Sequence, residues 1–500
     1  MPPIIESHMT LNRFQGLYLA LLLAFAGVLS VSGTIALRNV LHLGLLLLLL
    51  GYMGFVWRME RRRITMLAAA VPLPVWLWCA YLLLFPLIAP NSAGAWNNLI
   101  GKGMWGESML TWLLAWGAFL ILGTKRLTLW PLALVSAVPV FIHLNLTVLA
   151  WMGVLQPSFY GDPSLQTVGR SLWVVLQDVS LLQKPFQAFP LGFRGIEPMH
   201  GNLGYPASQA ICIGVAVMFD ALHAGESRRA IKAGALVVLC LVSVVIAQSR
   251  AATYFGLLIV ALAGFVYAVF VRVQRVPLRF GWLMSTVMVG GGALCIVFFY
   301  QVASRNPVWY SMGDKMAIGF QVERPKDLIC EGFTPATSEF VRQQYPDRDQ
   351  AYIASLIAGL DADGGRVLLA RVGAELSASN PWGWNGGRDA YQHRIEQLCG
   401  HVPAMNFSHA HNAWINMILS VGWIGAILYA WVLLRFAKSG WSALKQEQTW
   451  PTGLALMLLS IFWLLRGMVD AVYQEHYLEM QAFFLLTLFL LLRSGKPVSE

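Results

Sequence analysis

Apolar runs of membrane-spanning length recur along the whole chain and are separated by shorter polar segments. About 20 apolar residues suffice for a helix to cross the ~30 Å hydrocarbon core of a bilayer. The runs are continuous rather than alternating, which excludes the strands of a membrane barrel. The pattern therefore predicts an all-α polytopic integral membrane protein. Its predicted spans, about twelve by this length criterion, are 14–31, 40–57, 66–90, 109–123, 127–154, 206–223, 233–249, 251–271, 281–301, 412–434, 451–470 and 477–492.

The first run, 14–31, is longer than the apolar part of a signal peptide, and no small-residue cleavage site follows it. We therefore expect it to be retained as a helix. No internal repeat or low-complexity tract is evident in the rest of the chain.

Two polar segments, 155–205 and 302–411, are long. The second has the composition of a soluble region, with helical patterns over 350–360 and 365–377 and a Pro/Trp/Gly loop at 380–387. It is predicted to be a large helical subdomain on the outer face. The predicted parts are thus 1–301 with helices 1–9 and the outward loop, 302–411 as the outer subdomain, and 412–500 with helices 10–12 and a tail.

Charge sets the predicted orientation. Only 12% of the residues are charged, and the formal net charge is +10. Lys and Arg cluster after every even-numbered run, as at Arg61, Arg229 and Arg435. By the positive-inside rule both termini are cytoplasmic and the long segments face outward. This placement explains the excess of Lys and Arg over Asp and Glu, so no nucleic acid partner is needed to account for it.

The six cysteines fall into two groups. Four lie in apolar runs and are predicted to be small core residues: Cys79, Cys212, Cys240 and Cys295. Cys330 and Cys399 lie in the outer segment, where an oxidising compartment would allow a disulfide if their Cα atoms come within ~6 Å. The sequence leaves this pairing open.

Two histidines, His409 and His411, stand at the start of the tenth run. Ionisable groups at a membrane helix are uncommon and usually have a function. His411 has an intrinsic pKa suited to accepting a proton near neutral pH, and Asn412 can orient a neighbour or a substrate. An interfacial histidine that only caps the helix is the alternative.

Two glycines follow the histidines. Gly422 lies eleven residues after His411. On a continuous helix this spacing is about 1100° and ~16 Å, which places both residues on one face. We expect Gly422 and Gly425 to let that face pack closely against another helix. Such packing would hold His411 rigidly at the membrane surface.

Three arginines are candidates for binding an anion. Arg250 follows the seventh run and, ~26 Å from its start, is expected at the outer boundary with His411. Arg366 opens the stretch before the Pro/Trp/Gly loop, and Arg371 is a second choice on another face. Arginine binds phosphate bidentately and keeps its charge. Snorkelling or solvation of the charge is the alternative for each.

Other polar pairs have simpler interpretations. Arg466 and Asp470 stand four residues apart, which suits an intrahelical ion pair. His409 and His411 would need an aspartate of the outer segment to bind a metal, and a His-x-His pattern alone is weak evidence. No metal site or cofactor is predicted, because no Walker, haem or Cys/His metal motif is present.

Together these residues resemble the signature of the bacterial O-antigen ligases, within the wider ligase and polymerase superfamily. The signature is His-Asn, nine residues, Gly and a second Gly three further on, here His411, Asn412, Gly422 and Gly425. Ser249-Arg250-Ala251, Arg366 before Asn380-Pro-Trp-Gly, the large late outer loop and about twelve helices support the resemblance. The chain departs from relatives at Trp384-Asn-Gly-Gly, where they more often have Gly-x-Gly, and in its longer outer segment.

The resemblance implies a GT-C-like glycosyltransferase of the bacterial inner membrane. Its donor is an undecaprenyl-diphosphate-linked glycan, and its acceptor is a sugar hydroxyl of lipid A-core at the periplasmic face. His411 would be the general base, while Arg250 and Arg366 bind the diphosphate in an inverting displacement. His409, Asn412 and Arg371 would have supporting roles. A shortage of paired outward carboxylates argues against both Mg²⁺ dependence and a glycosidase.

Three alternatives stay open. A polymerase of the same superfamily would use the same residues with a second lipid-linked glycan as acceptor. A protein O-oligosaccharyltransferase often carries a Gln-Pro-Asn-His type segment, where this chain has His200-Gly-Asn-Leu-Gly204. A transporter with His411 as a proton relay would show inverted repeats and broken helices. The oligomeric state is not predicted.

Overall fold

The computed structural model describes residues 4–31, 33–100, 104–152, 154, 193, 195, 202–273, 312–360, 363–473 and 475–494. Over these residues the secondary structure is helical, without strands. The helices before the outer subdomain are α1 Ile4–Val28, α2 Ile35–Ala70, α3 Leu73–Ile88, α4 Ser92–Ile100, α5 Met104–Arg126, α6 Leu129–Ser136, α7 Val138–Trp151, α8 Gly204–His223, α9 Ser227–Ile246 and α10 Arg250–Val273. Those that follow are α11 Met312–Gln321, α12 Pro325–Glu331, α13 Pro335–Gln344, α14 Gln350–Gly359, α15 Asp363–Ser379, α16 Ala390–Cys399, α17 Ala413–Ala443, α18 Trp450–Arg466 and α19 Glu475–Ser494.

Seven helices in these ranges are long and apolar enough to cross a membrane, or nine spans if each of two bent helix pairs counts as one. α1 and α18 contain shorter apolar helices. Every predicted span other than 281–301 overlaps a helix, and 281–301 lies outside the described residues. The polytopic helical class is therefore confirmed, whereas the count of twelve stays a prediction.

Prolines explain the two bends. The predicted span 66–90 is divided between the end of α2 and α3, which meet at 90° around Pro72. α6 and α7 meet at 45°, and α7 has Pro139 in its first turn. Proline lacks the N–H that a helix interior needs, and it disfavours helical backbone in the residue before it.

The apolar side chains form a large core among the membrane helices and a separate core in the outer subdomain. The outer core includes Ile415 and Leu419, which belong to the first turns of α17. The subdomain therefore rests on the N-terminal end of this helix. The predicted helical patterns over 350–360 and 365–377 correspond to α14 and α15.

The cysteine pair left open by the sequence is a disulfide. Cys330 at the end of α12 is bonded to Cys399 at the end of α16, and their Cα atoms are 5.4 Å apart. Of the cysteines expected in the core, Cys212 and Cys240 are buried and Cys79 is half-buried. Cys295 lies outside the described residues.

α17 is broken at Gly422, where the backbone takes φ 79° and ψ 172°. The Pro/Trp/Gly loop at 380–387 fills the break: Trp384 N and Gly386 N donate to the Ser420 carbonyl at 3.1 and 3.0 Å. Trp423 N, on the other side, donates to the Pro381 carbonyl at 2.9 Å. Backbone groups at membrane depth must find such partners, since lipid offers none.

The expectation that Gly422 continues one helical face from His411 is therefore wrong. A Cβ at Gly422 would lie 2.8 Å from the Pro381 carbonyl oxygen. Glycine is therefore needed here to make room for the inserted loop, and not for a neighbouring helix. Gly425 does allow a close helix contact, because its Cβ would lie 2.9 Å from the Tyr81 ring on α3. The expectation that a glycine allows close helix packing thus holds for Gly425 only.

Candidate active site

His411 lies in the short segment that leads into α17. It is half-buried, and its backbone adopts the left-handed conformation with φ 50°. Its Nδ1 is buried and has no hydrogen-bond partner in the described part of the chain. The ring lies beside those of His409 and Phe407, with centroids 4.3 and 5.9 Å away. Non-glycine residues held in this backbone region cost free energy and concentrate at functional sites.

Asn412 fixes the start of α17. Its Oδ1 accepts hydrogen bonds from Trp414 N and Ile415 N at 3.0 and 3.1 Å, which is the usual N-cap arrangement. Its Nδ2 donates to the Met468 carbonyl at 3.0 Å, after the end of α18. These bonds hold the residue next to His411 in place. They favour a positioning role for Asn412 over direct contact with a substrate.

Arg366 is brought towards His411 by the packing of α15. Gly373 of this helix lies against the segment around His411, since a Cβ there would be 2.7 Å from Ile415 Cγ2 and 3.3 Å from Ala410 Cβ. Arg366 precedes Gly373 by seven residues, about two turns, so it projects from the same face. It is half-buried, and no carboxylate among the described residues forms an ion pair with it.

Arg371 belongs to a different contact. Its Nη1 donates to the carbonyl oxygens of Gly319, Phe320 and Val322 at 2.9, 3.0 and 2.8 Å. These carbonyls are at and just beyond the end of α11, where a cation offsets unpaired carbonyls and the helix dipole. The geometry gives Arg371 a structural role in place of the supporting role expected from the sequence.

Asp470 lies at the meeting point of three helices. Arg466 Nη2 is 2.9 Å from its Oδ2, and the Tyr205 hydroxyl donates to the same oxygen at 2.6 Å. The Arg466 guanidinium lies over the rings of Tyr205 and Phe255 at 5.0 and 5.4 Å. The predicted ion pair is present, but it is not intrahelical, because α18 ends at Arg466.

The charges around His411 set its protonation state. Burial, followed by the neighbouring His409 and Arg366, lowers the pKa of His411 to about 3, while Asp470 opposes this shift. Burial alone would raise the pKa of Asp470, but Arg466, the Tyr205 hydrogen bond and Arg366 hold that pKa below its usual value. At neutral pH the site therefore pairs a neutral imidazole with an ionised carboxylate.

Arg250 is the first residue of α10, as expected at the end of the preceding run. The start of α10 meets the start of α8, since a Cβ at Gly204 would lie 2.4 Å from Ala252 Cβ. Tyr205, the next residue of α8, binds Asp470. Arg250 thus lies at the helix end that meets α8 beside Tyr205.

Residues 235–430 match the family model described as O-antigen ligase. The match, which covers less than half of the chain, supports an O-antigen ligase family member. No curated protein matches the chain significantly. Members of the family are glycosyltransferase-like enzymes, and the matched segment contains Arg250, Arg366 and His411.

Sequence reasoning did not assign Tyr205 and Asp470 to the candidate site. Both lie outside the matched segment, and their contact joins residues 265 positions apart. A tyrosine at the start of an apolar run and an aspartate after another run gave no local signal of their meeting. Among the described residues, no group of three or more His, Cys, Asp or Glu is arranged to hold a metal.

Proposed function

We propose that this O-antigen ligase family member transfers a glycan from undecaprenyl diphosphate to a sugar hydroxyl of lipid A-core, at the periplasmic face of the inner membrane. One observation carries the proposal: His411 is half-buried, and its buried Nδ1 has no hydrogen-bond partner among the described residues. Its lowered pKa keeps the ring neutral at pH 7, and the charges of Arg366 and Asp470 both act on it. A neutral imidazole can accept a proton, and a nearby guanidinium attracts the phosphate of a charged donor.

The reaction is a single displacement. The acceptor oxygen attacks the anomeric carbon, its proton passes to His411, and the bond between that carbon and the diphosphate oxygen breaks. Undecaprenyl diphosphate leaves with the electron pair, and the configuration at the anomeric carbon is inverted. Arg250 and Arg366 stabilise the negative charge that develops on the diphosphate, while Asp470 stabilises the imidazolium that forms at His411.

The membrane setting supports this assignment. The donor carries its own activation in the diphosphate, which suits a compartment without nucleotide sugars. The disulfide between Cys330 and Cys399 suits an oxidising compartment, as expected of the outer subdomain. A GT-C-like architecture, cytoplasmic termini and a reaction without a metal or another cofactor belong to the same proposal.

The rival functions share part of this geometry. A polymerase would keep His411 and both arginines and differ only in its acceptor. A transporter would use a broken helix to reach its substrate. α17 is indeed broken, but the backbone groups at the break are hydrogen-bonded to the loop at 380–387 and are therefore not available to a transported substrate. This favours an enzyme over a transporter.

The test is complementation of a ligase-deficient strain, scored as glycan attached to lipid A-core. We expect His411→Ala, Arg250→Ala and Arg366→Ala to abolish attachment, and His401→Ala to leave it unchanged because His401 is exposed on the outer subdomain. Full attachment by a normally folded His411→Ala protein contradicts the base assignment. Formation of free polymer without capping of lipid A-core supports the polymerase instead.

A further inference from the structure

The residue before α10 has a buried hydroxyl that the fold does not use. Ser249 is 1% exposed, and its Oγ has no hydrogen-bond partner in the ranges described above. Its carbonyl oxygen accepts from Thr253 N and Thr253 Oγ1, at 2.9 and 3.0 Å. A serine at this position usually caps the helix with its hydroxyl, which satisfies a first-turn amide. Ser249 does not, so both the hydroxyl and the amides keep their hydrogen-bonding capacity.

The first turn of α10 has donors to match. The amides of Ala251 and Ala252 lie in the first turn of α10, where N–H groups have no acceptor within the helix. α10 has 24 residues, and the start of such a helix carries a partial positive charge that favours anions. Arg250 adds a full positive charge at the same helix end. A hydroxyl donor, two amides and a guanidinium together suit the oxygens of a phosphate.

This helix end packs against the start of α8. A Cβ at Gly204 would lie 3.4 Å from Ser249 Oγ, so the hydroxyl is directed towards the start of α8. Tyr205 follows Gly204 and donates to Asp470, whose charge acts on His411. The unused hydroxyl therefore lies beside the start of α8, the helix whose Tyr205 binds Asp470.

We infer that Ser249 binds the donor: its hydroxyl and the first-turn amides of α10 bind one phosphate of the lipid diphosphate together with Arg250. The inference rests on the proposed function and deepens it by adding a hydroxyl and a helix end to the arginines. Ser249 Oγ is unpaired within the described residues, and the bound donor supplies its acceptor.

Stability and binding should then respond in opposite directions to Ser249→Ala. Removing an unpaired buried hydroxyl costs the free protein nothing, whereas removing a hydrogen bond to a charged group weakens binding by roughly ten- to a hundredfold. Using the purified full-length protein, we expect Ser249→Ala to keep or raise Tm while its Kd for inorganic pyrophosphate rises by that factor. Ser249→Thr, which keeps the hydroxyl, should restore tight binding.

The matched control is Ser208→Ala. Ser208 is also 1% exposed and its Oγ also lacks a partner among the described residues, but it lies one turn inside α8. We expect its pyrophosphate affinity to match that of the unmodified protein. Equal losses of affinity in Ser208→Ala and Ser249→Ala, or a fall in Tm of Ser249→Ala that accounts for its loss of binding, would overturn the inference.

The failures of the two proposals are distinguishable. If Arg250→Ala and Arg366→Ala lose pyrophosphate binding while Ser249→Ala binds normally, the inference is wrong and the proposed function stands. If pyrophosphate binds all of these variants and the unmodified protein alike, the diphosphate site of the proposed function is itself wrong. In that case the inference is wrong with it.

Discussion

The Ser420 carbonyl of membrane helix α17 accepts a hydrogen bond from Trp384 N of the outer subdomain at 3.1 Å. This bond joins two parts of the chain that the hydrophobic pattern separates. It also explains how a membrane helix tolerates a break at Gly422, because the outer loop supplies the partners that the helix loses. The position of the outer subdomain, and of Arg366 with it, thus depends on this break.

Replacement of Gly422 should therefore damage the site from a distance. In Gly422→Ala the backbone at φ 79° is strained and the new Cβ would lie 2.8 Å from the Pro381 carbonyl oxygen. We expect a loss of about 2 kcal/mol or more in stability, with reduced transfer activity. Thermal unfolding of the purified protein measures the first effect. Gly44→Ala is the control, because no atom lies within 4 Å of its Cβ position and alanine favours a helix.

Arg366 and Arg371 form a natural pair for comparison, since both lie on α15. Arg371→Ala leaves three carbonyls around the end of α11 without their donor, and we expect it to cost about 1–3 kcal/mol of stability. Arg366→Ala should leave Tm nearly unchanged and abolish transfer. Parallel thermal melts and transfer assays decide this; the reverse pattern in the two variants would contradict the site.

The pH dependence of transfer should reflect the low pKa of His411. The pKa is about 3 in the free protein against an ordinary 6.5, so the imidazole stays neutral as the pH falls below 6.5. We expect kcat/KM to show no loss from His411 protonation between pH 7 and about 5. Bound diphosphate offsets the charge of Arg366 and raises the pKa of His411. The acid limb of kcat should therefore lie at higher pH than that of kcat/KM.

The same low pKa makes a contribution to stability that has a definite sign. Unfolding raises the pKa of His411 from about 3 to its ordinary 6.5, so the unfolded chain binds the proton more readily. His411 therefore favours the folded state fully above pH 6.5, and this contribution is lost as the pH falls towards 3. Between pH 7 and 5, the Tm of His411→Gln should fall less than the Tm of the unmodified protein. An equal fall in both would contradict the burial of a neutral imidazole.

The disulfide should stabilise the outer subdomain. Cys330 and Cys399 are 69 positions apart, and the loop they close contains both α15 and the loop at 380–387. We expect Cys330→Ser with Cys399→Ser to cost about 2–4 kcal/mol and to lower transfer through misplacement of Arg366. Thermal melts with and without reductant test this: reductant should lower Tm of the unmodified protein and leave the double variant unchanged.

Much of the membrane architecture could be predicted from the sequence. Runs such as 206–223 and 451–470 correspond to α8 and α18, because a bilayer imposes a fixed length and composition on any helix that spans it. Arg250 was placed correctly at a helix end for the same reason. The position of His411 at the start of α17 followed from the boundary between polar and apolar residues.

Other features needed the tertiary structure. Local sequence treats the stretch from His411 to Gly425 as one helix, and only the inserted loop shows why Gly422 breaks it. Arg366 and Arg371 look alike in sequence, and only their neighbours separate an arginine near the candidate base from one that caps α11. Likewise Asp470 meets Tyr205 through a contact between distant runs.

The sequence by itself thus determined the membrane class, the main helices and the identity of His411, Arg250 and Arg366 as candidates. The local balance of apolar and charged residues is sufficient for these conclusions. The tertiary structure decided which candidates meet, what protonation state His411 adopts and which hydroxyl at α10 has no partner among the described residues. These properties depend on burial and on charges from distant parts of the chain, and no local pattern contains them.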